Sequence, residues 1–214
     1  MQVEVWSDVV CPFCYIGVRR LSNAVAAFEH GDEVELVVRS FELDPNAPTE
    51  PTETVADMLA RKYGMSPAER QQAMAGVQAM AAGEGLTLDQ DDAPHANTHD
   101  AHRLLHLALA EGGPGVQSKL NARLMSEYFV SAQNLADHGL LRQAAVAAGL
   151  DPERVNQVLA GEEYEAEVAA DIQQARTYGA TGVPFVVIDG KYGISGAQPT
   201  EVFSQALKRA HEAT

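Results

Sequence analysis

The apolar positions of this chain change period twice. Val3, Val5 and Trp6 begin as a short strand that ends at Ser7-Asp8. Ile16, Leu21, Val25 and Phe28 then recur at roughly helical spacing, with Gly31 placed to end the helix. Glu33 to Phe41, part alternating and part continuously apolar, predicts a second strand, and a proline-rich loop from Asp44 to Pro51 follows it. From about Thr52 to Tyr178 the period is helical throughout, enough for roughly five to seven helices. Ser66-Pro67-Ala68-Glu69 and Asp151-Pro152-Glu153 are helix starts, and Asp137 with Gly149 brackets another helix. Strand signals return at Val183-Pro184-Phe185-Val186-Val187-Ile188, followed by the turn pair Asp189-Gly190 and a returning strand from Lys191 to Ser195. Pro199 to His211 predicts a closing helix with Val202, Phe203, Leu207 and Ala210 on one side. The order is β-α-β, a helical run, then β-β-α. The strands on either side of the helices need each other to complete one sheet.

Composition narrows the possible partners. A hydrophobic share of 46% with 21% charged residues is ordinary for a globular chain. No apolar run approaches the ~18 residues that span a bilayer. The opening residues lack a basic region followed by an apolar core, so no secretory signal is expected and the expected location is cytoplasmic. The net charge is −15, from 30 acids against 15 bases. Such a chain repels phosphate backbones and anionic lipids, which argues against nucleic acid or membrane as its main partner. The acidic run Asp89-Gln90-Asp91-Asp92 is most simply a solvated loop.

The chemistry rests on the cysteines. There are 2, Cys11 and Cys14, three positions apart, a separation that random placement gives roughly 1% of the time. So short a loop gains little from a stabilising disulfide. The pair lies where the first strand feeds the first helix, and the positive helix terminus favours a thiolate at Cys11. Cys11 is therefore expected to be the exposed, acidic nucleophile. Cys14, one turn inside, is expected to be the buried thiol that resolves a mixed disulfide. Pro12 suits a helix start, and Phe13 between the cysteines is expected to be partly exposed. The competing readings are inert thiols or zinc ligands completed by two of His95, His99, His102 and His106. No compact Cys-Cys-His-His spacing exists, so no metal is expected. Thr181-Gly182-Val183-Pro184 gains meaning beside this pair, because a proline at the start of a strand can also be cis.

The chain resembles the DsbA-like branch of the thioredoxin superfamily, in particular its FrnE-type members. The marks are Trp6-Ser7-Asp8 with Cys11-Pro12-Phe13-Cys14-Tyr15-Ile16-Gly17, then Asn97-Thr98 and Ala101-His102-Arg103-Leu104, and late in the chain Thr181-Gly182-Val183-Pro184-Phe185 and Ile194-Ser195-Gly196-Ala197-Gln198. The resemblance implies an α/β thioredoxin fold from residues 1–51 and 179–214, with a large inserted α-helical domain at 52–178. It also implies a cis bond before Pro184 and dithiol–disulfide exchange with a protein or small-molecule thiol substrate. Relatives of this type were first linked with polyketide biosynthesis. Asn97 and His102 are implied to face the cysteines and contact substrate, with the Val183 backbone pairing beside the sulfur. His99 and His106 read as ordinary polar-face residues and Trp6 as core. The chain is expected to act as a monomer or homodimer. No cofactor is expected, with glutathione open as a thiol partner. The 2-hydroxychromene-2-carboxylate isomerases and kappa-class glutathione transferases share the architecture, but a serine generally stands where this chain has Cys11.

Overall fold

The computed structural model describes residues 1–89 and 92–213; Gln90 and Asp91 of the acidic run lie outside the described residues. Strands β1 (Gln2–Ser7), β2 (Glu35–Ser40), β3 (Phe185–Ile188) and β4 (Tyr192–Ser195) form one sheet in the order β2-β1-β3-β4. β1 is parallel to β2 and antiparallel to β3, so Val5 has Val38 on one side and Val186 on the other. The two ends of the chain thus build one sheet, as the returning strand signals require.

Both faces of β1 are covered, so it is buried almost throughout. Val3 and Val5 enter the main core, whereas Trp6 lies in a second cluster with Ala175, Phe185 and Val187. The Trp6 indole donates to the Asp171 carbonyl at 2.8 Å, which satisfies the polar end of a fully buried ring. In the β3–β4 turn Asp189 and Gly190 both take positive φ, 48° and 66°. That is the left-handed geometry a two-residue hairpin demands.

Helix α1 (Pro12–Ala26) ends sooner than its apolar spacing suggests. The Ala27 amide donates back to the Asn23 carbonyl and the Phe28 amide to the Val25 carbonyl, and Phe28 lies beyond the helix, edge-on to His211. Gly31 opens a short 3₁₀ turn (Gly31–Glu33), where any side chain would collide with the Val25 carbonyl. Close approach, not helix termination, is what this glycine provides.

Among the described residues six helices lie between β2 and β3: α2 (Val55–Tyr63), α3 (Pro67–Gly83), α4 (His99–Phe129), α5 (His138–Ala148), α6 (Pro152–Ala160) and α7 (Glu165–Thr177). Thr54 with Asp57, and Ser66 with Glu69, form reciprocal capping boxes. Asp137 and Asp151 cap α5 and α6, and Gly149 ends α5 with φ 113°. α4 is broken at Gly113 (φ 73°, ψ −178°), just before Pro114, and runs as two arms.

The second arm of α4 packs on β2. The Gln117 side chain accepts from the Val38 amide and donates to the Val38 carbonyl, both at 2.9 Å, and also reaches the Leu105 carbonyl at 3.2 Å. A buried side-chain amide thereby supplies the pairing that a neighbouring strand would give. α7 is tied to the same strand through Asp171, which accepts from the Ser40 amide at 2.8 Å and lies 3.1 Å from His106 Nε2. Arg39 bridges Asp171 at 3.4 Å and Glu4 at 2.7 Å. His106 is therefore a buried member of a polar network and not the polar-face residue its helical position suggested.

α8 (Thr200–Glu212) buries Phe203, Leu207 and Ala210, but Val202 is exposed and does not belong to the buried stripe. Met74 and Met80 pack against the core. Among the described residues, no helix is long and apolar enough to cross a membrane.

Candidate active site

Strand β1 delivers the chain to α1 through a tight turn in which the Cys11 amide donates to the Asp8 carbonyl at 3.1 Å. Cys11 is the N-cap of α1, Pro12 follows at the first helical position, and no acidic side chain occupies the first turn. The Cys11 sulfur thus stands at the positive end of a 15-residue helix. It lies 3.8 Å from the Val183 carbonyl. Val183 precedes a cis peptide bond to Pro184.

The two thiols differ in access. Cys14 is fully buried, and Cys11 keeps 4% of its surface. Cys11 is more enclosed than a free nucleophile was expected to be, because the Val183 carbonyl lies against its sulfur; it nevertheless lines a cleft. Burial pushes the Cys14 thiol well above its ordinary pKa, and the neighbouring Cys11 adds to the shift. The Asp8 main chain and the Ser7 hydroxyl pull it weakly the other way. Both cysteines are free thiols in this structure.

Pro184 is held from two directions. Its carbonyl accepts from the Gly196 amide at 2.8 Å. Gly17 of α1 lies so close that an added Cβ would be 2.7 Å from Pro184 Cγ and 3.4 Å from Ala197 Cα. Arg20 donates to the Ala197 carbonyl at 2.8 Å. The Ser195-Gly196-Ala197-Gln198 turn therefore positions Pro184 and is not itself part of the cleft wall.

The cleft encloses about 610 Å³ between the cysteine turn and helices α2 and α3. Asp8, Cys11, Phe13, Tyr128 and Val183 line it together with Val55, Met58 and Leu59 of α2 and Met74 and Val77 of α3. Phe13 is 43% exposed, as expected of a residue at the mouth. Tyr128 donates to the Pro94 carbonyl at 3.2 Å, and burial pushes its phenol upward.

Asn97 and His102 stand differently from what the resemblance implied. The Asn97 amide donates to the Pro45 and Ala47 carbonyls at 3.3 and 3.2 Å, and its oxygen accepts from the His99 amide at 2.8 Å. It fastens the proline-rich loop and starts α4; its neighbours Ala96 and Thr98 line the cleft. His102 is fully buried, with Nε2 3.4 Å from Asp8 Oδ1, so it lies behind Asp8 and does not line the cleft. The other histidines are engaged as well: His95 between Glu53 and Asp44, His99 with Glu42, and His106 with Asp171. Among the described residues no group of three or more histidine, cysteine, aspartate or glutamate side chains is arranged to hold a metal ion.

The sequence pattern left several cleft residues unmarked. Val55, Met58 and Leu59 form an apolar stripe at helical spacing, a signal visible in sequence, but only the fold shows that the stripe faces Cys11. Leu43 carried no such signal, and Asp8 entered only as the end of the Trp6-Ser7-Asp8 mark, with no role in the cleft attached to it.

The profile of the DSBA-like thioredoxin domain matches residues 2–208. The chain belongs to the DSBA-like thioredoxin family. A crystal structure of a probable DsbA oxidoreductase from Streptomyces coelicolor is similar at 46% identity and TM-score 0.93, covering 100% of this chain and 91% of that one. More distant members of the fold include a 2-hydroxychromene-2-carboxylate isomerase, at 14% identity and TM-score 0.71, with 100% and 97% of the two chains covered. Another is the cytosolic disulfide reductase DsbM from Pseudomonas aeruginosa with GSH, at 15% identity and TM-score 0.69, with 99% and 100% covered. This DSBA-like chain therefore has a thioredoxin fold with helices inserted between β2 and β3.

Proposed function

We propose that this chain is a dithiol–disulfide oxidoreductase working through Cys11 and Cys14. The observation that carries the reading is the unequal placement of the thiols: Cys11 caps a helix and opens on the cleft, while Cys14 is fully buried with its pKa raised. In the reducing direction, the Cys11 thiolate attacks one sulfur of a substrate disulfide. A Cys11–substrate disulfide forms and the other substrate thiolate leaves. Cys14 then gives up its proton, attacks Cys11 Sγ and releases the second thiolate. The substrate gains two electrons and the enzyme retains the disulfide, and in the oxidising direction every step is reversed. The Val183 carbonyl, 3.8 Å from Cys11 Sγ, is placed to accept a main-chain or other donor from the substrate beside the reacting sulfur.

All these parts come from one chain, so a monomer suffices. No cofactor is required. The cytosolic setting named for the Pseudomonas reductase is carried over to this chain as part of the proposal.

The test is a trapping experiment. Cys14→Ala should accumulate a mixed disulfide at Cys11, and Cys11→Ser should lose exchange entirely, because serine cannot form that bond. Full exchange activity in Cys11→Ser would overturn the reading. Turnover of a small electrophile with glutathione in that variant would move the chain to the isomerase and transferase class.

A further inference from the structure

We infer that the substrate admitted to Cys11 is a neutral, apolar small-molecule thiol or disulfide, and that glutathione is a poor fit. The inference rests on the oxidoreductase reading and adds the chemical class that the cleft accepts. A volume of about 610 Å³ is within the range of small-molecule sites. Its apolar lining includes Phe13, Met58, Leu59 and Val77, and Phe13, Leu43 and Tyr63 expose 43%, 48% and 63% of their surface. Such a lining rewards a ligand that brings apolar surface out of water.

Charge points the same way. Among the described lining residues, Lys62 is the one lysine or arginine, against the two carboxylates Asp8 and Asp44. His95 is no substitute, because Nδ1 lies 3.3 Å from Glu53 and Nε2 3.1 Å from Asp44. The carboxylates are themselves engaged. Asp8 accepts from the Leu43 amide at 2.8 Å and faces His102 at 3.4 Å, while Asp44 accepts from the Asn46 amide at 3.2 Å. Glutathione carries more carboxylates than ammonium groups and would have to desolvate them against this wall with one cation to receive them. The net charge of −15 adds a repulsive field. A neutral aralkyl disulfide meets none of these costs.

The experiment is a single-turnover measurement on the reduced protein, with dibenzyl disulfide and glutathione disulfide as probes. Each rate is divided by the rate of the same disulfide with free dithiothreitol, which removes differences in leaving-group reactivity. The expected result is a normalised preference for the benzyl compound of at least roughly tenfold. Met58→Lys adds a cation to the wall and should shrink that ratio several-fold, with thermal unfolding checked alongside. Equal normalised rates, or a faster reaction with glutathione disulfide, overturn the inference and leave the oxidoreductase reading intact. A scrambled protein substrate that outpaces both small disulfides after normalisation also overturns it, because the occupant is then a polypeptide. An unchanged ratio in folded Met58→Lys overturns the assignment of selectivity to this wall. No reaction of Cys11 with any disulfide overturns the oxidoreductase reading itself.

Discussion

Gly17→Ala changes one hydrogen to a methyl group in the middle of α1, where alanine would ordinarily be preferred to glycine by about 1 kcal/mol. Here the new Cβ would lie 2.7 Å from Pro184 Cγ and 3.4 Å from both Pro184 Cβ and Ala197 Cα. Carbon atoms in contact normally sit about 3.5–4.0 Å apart, so the proline ring must retreat by roughly 1 Å. It has little freedom to do so: the Pro184 carbonyl is bonded to the Gly196 amide, and the Ala197 carbonyl is bonded to Arg20. Overpacking of this kind costs about 1–3 kcal/mol, and its upper part suits a contact with a ring and a main-chain carbon. Less the helix gain, the net loss should be about 1–2 kcal/mol. Gly76→Ala in α3 is the control, because its Cβ would meet nothing within 4 Å; it should gain up to about 1 kcal/mol. Urea unfolding of the three proteins, compared at equal slope, measures both changes. Exchange activity should fall in Gly17→Ala alone, since a retreating Pro184 carries the Val183 carbonyl away from Cys11. A Gly17→Ala protein as stable and active as the parent would refute the argument that α1 and Pro184 are packed to contact.

Gln117→Leu should cost about 2 kcal/mol or more in urea unfolding, because it leaves the buried Val38 amide and carbonyl without partners. Under native conditions at neutral pH, iodoacetamide should modify Cys11 and spare Cys14, read by mass spectrometry, since Cys14 is fully buried and held protonated. Modification of Cys14 first would reverse the assigned roles. The hydrogen bond to Glu42 raises the His99 pKa, so the pair stabilises the fold fully below the unfolded value of about 6.5 and loses that contribution as pH rises through the folded value. Glu42→Gln should remove this part of the pH dependence of the melting temperature, and an identical profile in both proteins would count against the pair.

Much of the fold was legible because local signals and global pattern agreed. The capping boxes at Thr54 and Ser66 differ in this respect: Ser66-Pro67-Ala68-Glu69 was readable as a motif, whereas Thr54 sits in a polar loop where a cap does not stand out. The Asp189-Gly190 turn and the strand before it were plain from residue type. The end of α1 was not, because Phe28 continues the helical spacing while its contact with His211 belongs to the tertiary structure. The same limit governs the site. Cys11, Cys14, Phe13, Val183 and Pro184 carry their chemistry in their identity and spacing. Asn97 precedes α4, His102 and His106 lie on its largely apolar first arm, and periodicity does not say whether such a polar residue faces a ligand or a partner within the protein. For these three it was the proline-rich loop, Asp8 and Asp171.

Gln117 has a consequence for how this chain keeps to itself. A strand at the border of a sheet offers unpaired amides and carbonyls to any other extended segment, including the same strand of another copy. By occupying the Val38 amide and carbonyl with a side chain, α4 removes a docking point from the β2 border without the length of backbone that a fifth strand would need. The sheet is left with β4 as its other border, four residues long and alternately exposed. Short borders of that kind recruit partners poorly. Association between copies through the sheet is thus discouraged on one side by an amide mimic and on the other by brevity.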